Sequence, residues 1–137
     1  MKRDLELIRK VLAHVEECNP EGAETLERGH IKILDYADTM VWQHVSLLVD
    51  AGFLVDRSHI YYSNPQFGDK LKVLTGRGIW LTWKGYEFLA DTHEERVWNA
   101  VKQGAKTAGS ASVEFVWDLA KGYLKQKAIE HGIPIPA

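Results

Sequence analysis

The side chains that could do acid–base or metal chemistry are spread along the chain without a catalytic spacing. The run HEER begins at His93, but a zinc protease helix needs a second histidine on the same face. The six histidines are scattered, at positions 14, 30, 44, 59, 93 and 131. The sequence therefore predicts no metal site. We interpret His44, on a helical face, as a core or half-buried histidine bonded to the backbone.

Motifs for nucleophilic or phosphate chemistry are also missing. The run TGRG at residues 75–78 has two glycines but lacks the Lys and the Ser or Thr of a phosphate loop, so we predict a tight hairpin turn. Adjacent carboxylates at 16–17 and 94–95 face different sides of their helices. Cys18 is the only cysteine, which excludes an internal disulfide and favours a buried or half-buried thiol. We expect no catalysis and no cofactor.

Length and composition favour one folded domain. The chain has 137 residues, of which 45% are apolar and 26% charged, as in ordinary globular proteins. No apolar run approaches the roughly 20 residues that span a bilayer, and the N-terminus lacks the apolar core of a signal peptide. We therefore expect a cytoplasmic protein without a membrane partner.

The net charge of −2 conceals a gradient along the chain. Residues 1–56 hold six Lys or Arg against eleven Asp or Glu, whereas residues 57–90 hold five against two. Residues 91–137 are balanced, with six of each. Any basic surface must therefore come mainly from the middle of the chain.

Apolar periodicity predicts two helices in the first half of the chain. The stripe of the first comprises Leu5, Ile8, Val11, Leu12 and Val15. The next segments are a break at 19–24, one helical turn near 24–29 and a short strand at 30–34. Asp38 then caps a second helix that Gly52 ends. Its inward stripe comprises Val41, Val45, Leu48 and Ala51.

The second half is predicted to hold an antiparallel hairpin and three helices. Strand-like runs at 53–62, 70–74 and 78–83 surround turn-rich loops. Thr82 caps a helix from Trp83 that places Tyr86 or Leu89, with Phe88, in the core. A Thr92–Glu95 capping box restarts the chain as a helix. Its inward residues are Val97, Trp98, Val101 and Ala105.

The last helix follows the break TAGSAS. Ser112 caps it, and it closes at Gly132 before an extended tail. Its stripe comprises Val113, Val116, Trp117, Ala120, Tyr123 and Leu124. That stripe could either complete the core or pair two chains.

The order of these elements resembles a winged helix-turn-helix. His44 to Leu54, HVSLLVDAGFL, resembles the end of a recognition helix, and LTWKGYEFL from Leu81 resembles the segment that follows a wing. We therefore predict an α+β, mostly α, winged-helix fold with a β-hairpin wing and two additional C-terminal helices. The predicted division is a winged-helix core at 1–91, a helical extension at 92–131 and a tail at 132–137.

Nearly the whole chain resembles a bacterial, prophage-associated family of a domain of unknown function. The similar segments are the opening MKRDLELIRKVL, then HVSLLVDAGFL, LTWKGYEFL with ERVWNAVK, and the Ser-capped final helix. The resemblance implies a winged-helix fold and a phage or mobile-element context in a bacterial host. It implies no catalytic residues.

The predicted recognition helix is poorly suited to DNA. Base readout needs polar or basic side chains on the outer face, with Lys and Arg on phosphates. No Lys or Arg occurs between Lys32 and Arg57, whereas four Asp do. The outward residues that could instead bind a protein partner are Trp42, Gln43, Ser46, Leu47 and Val49. Trp42 and Leu47 have the alternative of packing in the core.

Two hypotheses follow from these residues. The first is a non-enzymatic module that binds a protein partner or itself, of which a counter-defence inhibitor is a version that the resemblance suggests. The second is a DNA-binding transcriptional regulator, with a basic wing on the phosphates. Its candidate contacts are Arg57, Lys70, Lys72 and Arg77 on the wing and Gln43 and Ser46 on the helix. Ordinary solvated surface charge explains the wing equally well.

Overall fold

The described part of the chain contains two helices, then four short strands, then three further helices. A computed structural model describes residues 3–18, 30–57, 60–64, 69–73, 78–109 and 112–132. The elements are α1 (Leu5–Cys18), α2 (Asp38–Asp50), β1 (Leu54–Asp56), β2 (Ile60–Asn64), β3 (Asp69–Val73), β4 (Ile79–Leu81), α3 (Trp83–Asp91), α4 (Glu95–Ala108) and α5 (Val113–Glu130). The protein is thus α+β and mostly α, as predicted. The predicted turn at 24–29 and most of the tail lie outside the described residues.

The chain divides into two compact units. One is residues 6–86, and the other is residues 87–137 together with residues 1–5. The first unit holds α1, α2 and the strands, and the second holds α4 and α5. The predicted division of the chain at residue 91 stays a prediction.

The core of the first unit follows the predicted stripes closely. The buried side chains of α1 are Leu7, Ile8, Val11, Leu12 and Val15, and those of α2 are Val41, His44, Val45 and Leu48. Leu5 and Ala51 are half-buried, because each lies at one end of its stripe. Periodicity therefore located both buried faces and missed by one residue at the ends.

A glycine ends α2 as predicted. Gly52 has φ +85°, the left-handed conformation that favours glycine. Its N–H donates to the carbonyl of Val49 at 3.1 Å, and the N–H of Phe53 donates to that of Leu48 at 2.9 Å. These two bonds form a Schellman cap. The cap turns the chain so that Phe53 is fully buried.

Two predictions about the approach to α2 are wrong. Residues 30–34 do not form a strand; Asp35 has φ +71°, and the sheets of the described residues pair only β1 with β4 and β2 with β3. A run of five residues without a partner strand has no ladder to stabilise it. Asp38 is not the cap either. Ala37 occupies that position, and the Asp38 carboxylate accepts from Lys32 at 3.0 Å.

The strands form one interrupted antiparallel hairpin. Leu54 pairs with Leu81 in the β1–β4 ladder, and Asn64 pairs with Asp69 in the β2–β3 ladder. The chain therefore reverses between β2 and β3. The predicted hairpin turn at TGRG lies largely outside the described residues, and the strands on its two sides, β3 and β4, pair with β2 and β1. Alternating residues and glycines mark strands and turns, but they do not say which strands pair.

The second unit contains the predicted α4 and α5. The four predicted core residues of α4 are buried, and Trp98 meets the ring of Phe88 edge to face, with centroids 6.4 Å apart. Ser112 caps α5 by accepting from the N–H of Phe115 at 3.1 Å. The Trp117 indole donates to Asp91 at 2.8 Å. This first half of α5 is therefore firmly held.

The predicted capping box before α4 is wrong. Thr92 is buried, and its hydroxyl donates to the carbonyl of Phe88 at 2.8 Å. The residue at the cap position is Glu94, which makes no side-chain cap bond. A threonine hydroxyl can bond backward to its own helix as well as forward. Thr92 thus closes α3 instead of opening α4.

Candidate interaction surface of helix α2

The inner face of α2 is held by its buried residues. His44 is fully buried, and its Nδ1 lies 2.8 Å from the carbonyl of Met40. Because a carbonyl oxygen only accepts, Nδ1 must donate its proton. The interpretation of His44 as a core histidine bonded to the backbone is confirmed. The outer face is therefore presented in a defined orientation.

The outer face of α2 is a polar ridge with apolar flanks. Its ridge comprises Thr39, Gln43, Ser46 and Asp50, spaced four, three and four residues apart. Thr39, Gln43 and Asp50 are exposed and Ser46 is half-buried. Each ridge side chain except Asp50 is uncharged. We call these four residues the α2 ridge.

The five predicted partner-binding residues divide between the ridge and its flanks. Gln43 and Ser46 belong to the α2 ridge, whereas Trp42, Leu47 and Val49 are half-buried beside it. Trp42 and Val49 are seven residues apart and lie on one side of the ridge, and Leu47 lies on the other. The structure thus brings all five onto one helical surface. The sequence analysis missed Thr39, although helical spacing from Gln43 would have found it.

The charges of α2 are both negative. Asp38 and Asp50 are its only ionisable residues besides His44, and Lys32 pairs with Asp38 with both side chains about two-thirds exposed, at 66% and 68%. An ion pair with both side chains so exposed contributes little to the stability of the fold. Lys84 does reach the C-terminal end, where its ammonium donates to the Ala51 carbonyl at 3.2 Å. The Lys84 ammonium is therefore already bound at the negative end of the helix dipole.

One of the four predicted wing cations is described in full. Arg57 is exposed, and its guanidinium lies 4.0 Å from the centroid of the Trp80 ring. Lys70 and Lys72 lie on β3, opposite Ser63 and Tyr61, and the structure describes their backbone alone. Arg77 lies outside the described residues. A stacked guanidinium keeps its edge available for an anion.

The exposed thiol of Cys18 lies beside a histidine nitrogen that is not free to act as its base. The prediction of a buried or half-buried thiol is wrong, because Cys18 is the last residue of α1 and lies beyond its buried stripe. Its sulfur lies 3.3 Å from Nε2 of His14, and the same nitrogen lies 2.9 Å from the His30 carbonyl. That carbonyl requires a proton on Nε2. The imidazole therefore has no lone pair there to activate the thiol.

Among the residues that the structure describes, no group of three or more His, Cys, Asp or Glu is placed to hold a metal ion. Within the same residues, every buried side-chain nitrogen and oxygen has a hydrogen-bond partner. None of the described helices combines the length and apolarity required to cross a bilayer.

Three exposed apolar side chains were not anticipated. Leu34 is 85% exposed and Trp83 is 79% exposed. Of the two alternatives predicted for the core face of α3, Tyr86 is exposed and Leu89 is half-buried. The buried positions of α3 are Gly85 and Phe88, and this spacing places Trp83 and Tyr86 on another side of the helix. Helical spacing from Phe88 alone places Trp83 away from the buried side of α3.

A family model described as "Hypothetical protein (DUF2513)" matches residues 2–111. The chain belongs to this family. The DUF2513 match includes α1, α2, the hairpin, α3 and α4, and it ends just before α5 begins at Val113. No curated protein and no solved structure matches the chain.

Proposed function

We propose that this protein is a non-enzymatic winged-helix module of phage or prophage type that binds a protein partner through α2. In this proposal it acts in the bacterial cytoplasm as a regulatory or counter-defence adaptor. The observation that carries the proposal is the α2 ridge, which offers hydrogen-bonding groups and one carboxylate but no cation. The order helix, helix, hairpin, helix supports the winged-helix assignment.

The α2 surface has the composition that a protein interface uses. Half-buried Trp42, Leu47 and Val49 supply apolar area beside polar groups that can be paired across an interface. A tryptophan at such a position concentrates binding energy when a partner completes its burial. DNA would instead bring phosphates toward Asp38 and Asp50, and this juxtaposition is unfavourable. A protein surface avoids that repulsion.

Photo-crosslinking tests the proposal directly. A photoreactive amino acid replaces Gln43 on the α2 ridge in the full chain, and Gln103, an exposed glutamine of α4, serves as the matched control position. We expect one discrete protein adduct from position 43 in the native host and none from position 103. Identical adducts from both positions, or none from position 43, would contradict the proposal.

Two substitutions then tie the adduct to the surface. Val49→Lys places a charge beside the α2 ridge, and Trp42→Ala removes apolar area. Both should abolish or greatly weaken the adduct at position 43 while leaving the far-UV circular dichroism spectrum unchanged. Undiminished capture by both folded variants would remove the α2 surface from the proposal.

The second candidate function is a DNA-binding transcriptional regulator. It is favoured by Arg57, whose guanidinium is stacked on Trp80 at the base of the hairpin. In that case the hairpin cations carry affinity and Gln43 and Ser46 read bases. Affinity for duplex DNA over a salt series would then fall steeply. The measurement includes a variant with glutamate at positions 57, 70, 72 and 77, which should lose binding only if this candidate is right.

A further inference from the structure

Helix α5 is held along its first half only. Val113, Val116, Trp117 and Ala120 are buried. From Lys121 to Glu130 no side chain is buried, and Ile129 is 52% exposed. An 18-residue helix is about 27 Å long. Roughly its last 15 Å therefore carries its apolar residues with incomplete cover.

One exposed side of α5 carries charges in two blocks. Glu114 and Asp118 lie in the first half, and Lys121 and Lys125 follow them at spacings of three and four residues. All four are exposed, and the spacing places them in one stripe along the helix. We call these four residues the α5 stripe. Helix α4 packs elsewhere, since the closest atom to a Cβ at its Gly104 is Cδ1 of Leu119.

The helix dipole accounts for only part of this order. Acidic residues are favourable in the first turn and basic residues in the last turn, and the effect fades beyond them. Glu114 lies in the first turn of α5 and Lys127 in the last. Asp118, Lys121 and Lys125 lie between those turns. The Asp118–Lys121 ion pair within the helix accounts for part of this order, and a partner of complementary charge would account for the rest.

We infer that α5 is a self-association helix, and that its stripe pairs antiparallel with the same stripe of a second copy of this chain. A two-fold axis between residues 119 and 120 places Glu114 opposite Lys125 of the second copy. The same axis places Asp118 opposite Lys121 of the second copy. A two-fold interface uses one patch twice, so the patch must complement itself. Two acidic residues followed by two basic residues do so only in the antiparallel direction.

Contacts within the chain leave the charges of Asp118 and Lys121 accessible. Lys121 lies 3.6 Å from Asp118, and their side chains are 50% and 72% exposed. Lys121 also covers the ring of Trp117 at 4.1 Å. An ammonium has three donors and a carboxylate accepts several. Each group can therefore keep its neighbour and bind a partner charge as well.

Gly122 borders the α5 stripe and allows close approach. A Cβ built on it would have no heavy atom within 4 Å, so nothing in the described chain requires glycine there. Glycine in the middle of an exposed helix is unfavourable on its own. A missing side chain lets a second backbone come near. The pairing of two α5 helices supplies a reason for this residue.

The pairing should be weak and sensitive to salt. Two crossing helices bury less area than a standard stable interface. Exposed charges are screened beyond a Debye length, which shrinks from about 14 Å to about 4 Å between roughly 50 and 500 mM salt. We therefore expect a monomer–dimer equilibrium with a Kd in the high micromolar range, weakened several-fold or more by salt. This inference does not rest on the α2 ridge.

Charge swapping in the full chain tests the inference. One variant carries Glu114→Lys with Asp118→Lys, and the other carries Lys121→Glu with Lys125→Glu. Each stripe then has a single sign, so each variant alone should sediment as a monomer, with Kd raised at least about tenfold. Their mixture pairs opposite stripes along the whole length. Sedimentation velocity of the mixture should therefore show a dimer at low salt that is at least as tight as the wild type.

A matched charge change controls for net charge. Lys10→Glu with Lys106→Glu alters the same number of exposed lysines outside α5 and should leave the wild-type equilibrium unchanged. Thermal unfolding confirms that each variant is folded. A monomeric wild type at millimolar concentration would overturn the inference, as would a monomeric mixture or self-association by both single-sign variants. The inference would also be overturned if the variant with Lys121→Glu and Lys125→Glu lost binding to duplex DNA while its sedimentation stayed that of the wild type.

Discussion

Helices α2 and α5 bury their residues in different ways. Helix α2 has a buried side chain in each of its inward turns, from Val41 to Leu48, and ends in a Schellman cap. Helix α5 buries only its first half, up to Ala120. The outer surface of α2 is therefore fixed by the buried side chains of its inner face. In α5, the second half of the helix has no fully buried side chain. A rigid surface suits recognition of a separate partner, whereas incomplete cover suits association that adds to the fold.

The largest expected effect comes from replacing one leucine in each helix, which compares how firmly α2 and the second half of α5 are packed. Leu48→Ala in α2 removes a fully buried side chain, so the free energy of unfolding should fall by about 3 kcal/mol. Leu124→Ala in α5 changes a half-buried one, so the loss should stay below about 1.5 kcal/mol. Urea unfolding of both variants gives the two values. Equal losses would mean that the second half of α5 is as firmly packed as α2.

A glycine beyond α2 offers the next largest effect. A Cβ on Gly85 would clash with the Phe53 carbonyl oxygen and would lie 2.9 Å from Leu81 Cδ2. Because the nearest atom is backbone, Gly85→Ala must displace the chain that leaves the α2 cap, at a cost of about 2–3 kcal/mol. Thermal unfolding checks this. The control is Gly104→Ala, which meets a side-chain carbon at 3.3 Å and should cost less.

The two helix starts provide a smaller test. Ser112 caps α5 with a hydrogen bond to the N–H of Phe115, so Ser112→Ala should destabilise the protein by about 1 kcal/mol. Helix α2 has no side-chain cap. Asp38→Ala should therefore cost no more than about 0.5 kcal/mol, the contribution of an exposed ion pair and a first-turn carboxylate. A cost for Asp38→Ala equal to that for Ser112→Ala would restore Asp38 as a cap.

The errors of the sequence analysis share one physical cause. Periodicity identified the buried stripes of α1, α2 and α4, because each stripe depends on residues within a few helical turns. The pairing of β3 and the role of the Asp38 carboxylate depended on groups outside the local pattern, namely β2 and Lys32. Local patterns state which bonds a residue can make. They do not state which of the competing partners is present.

The residues of the two candidate surfaces could be predicted from helical spacing, but the extent of burial around them could not. Gln43 and Ser46 were found because the outer face of a helix follows from its inner face. Thr39 was missed because the outward residues were counted only from Trp42 onward, although helical spacing places Thr39 on the same face as Gln43. The α5 stripe was visible in the sequence as two acids followed by two lysines, but only the structure shows that burial stops at Ala120.

The smallest expected effect comes from Gly122→Ala, which should stabilise the monomer and weaken self-association. The structure offers a Cβ open space at this position, so alanine should raise the free energy of unfolding of the monomer by about 0.8 kcal/mol. That corresponds to a rise in Tm of about 2–3 °C, measured at a protein concentration well below the dimer range. Self-association should move the other way, because a methyl group beside the α5 stripe separates the two backbones. A several-fold higher Kd in sedimentation, together with the higher Tm, would distinguish a glycine kept for a partner helix from one that merely tolerates substitution. A higher Tm with an unchanged Kd would remove Gly122 from the interface.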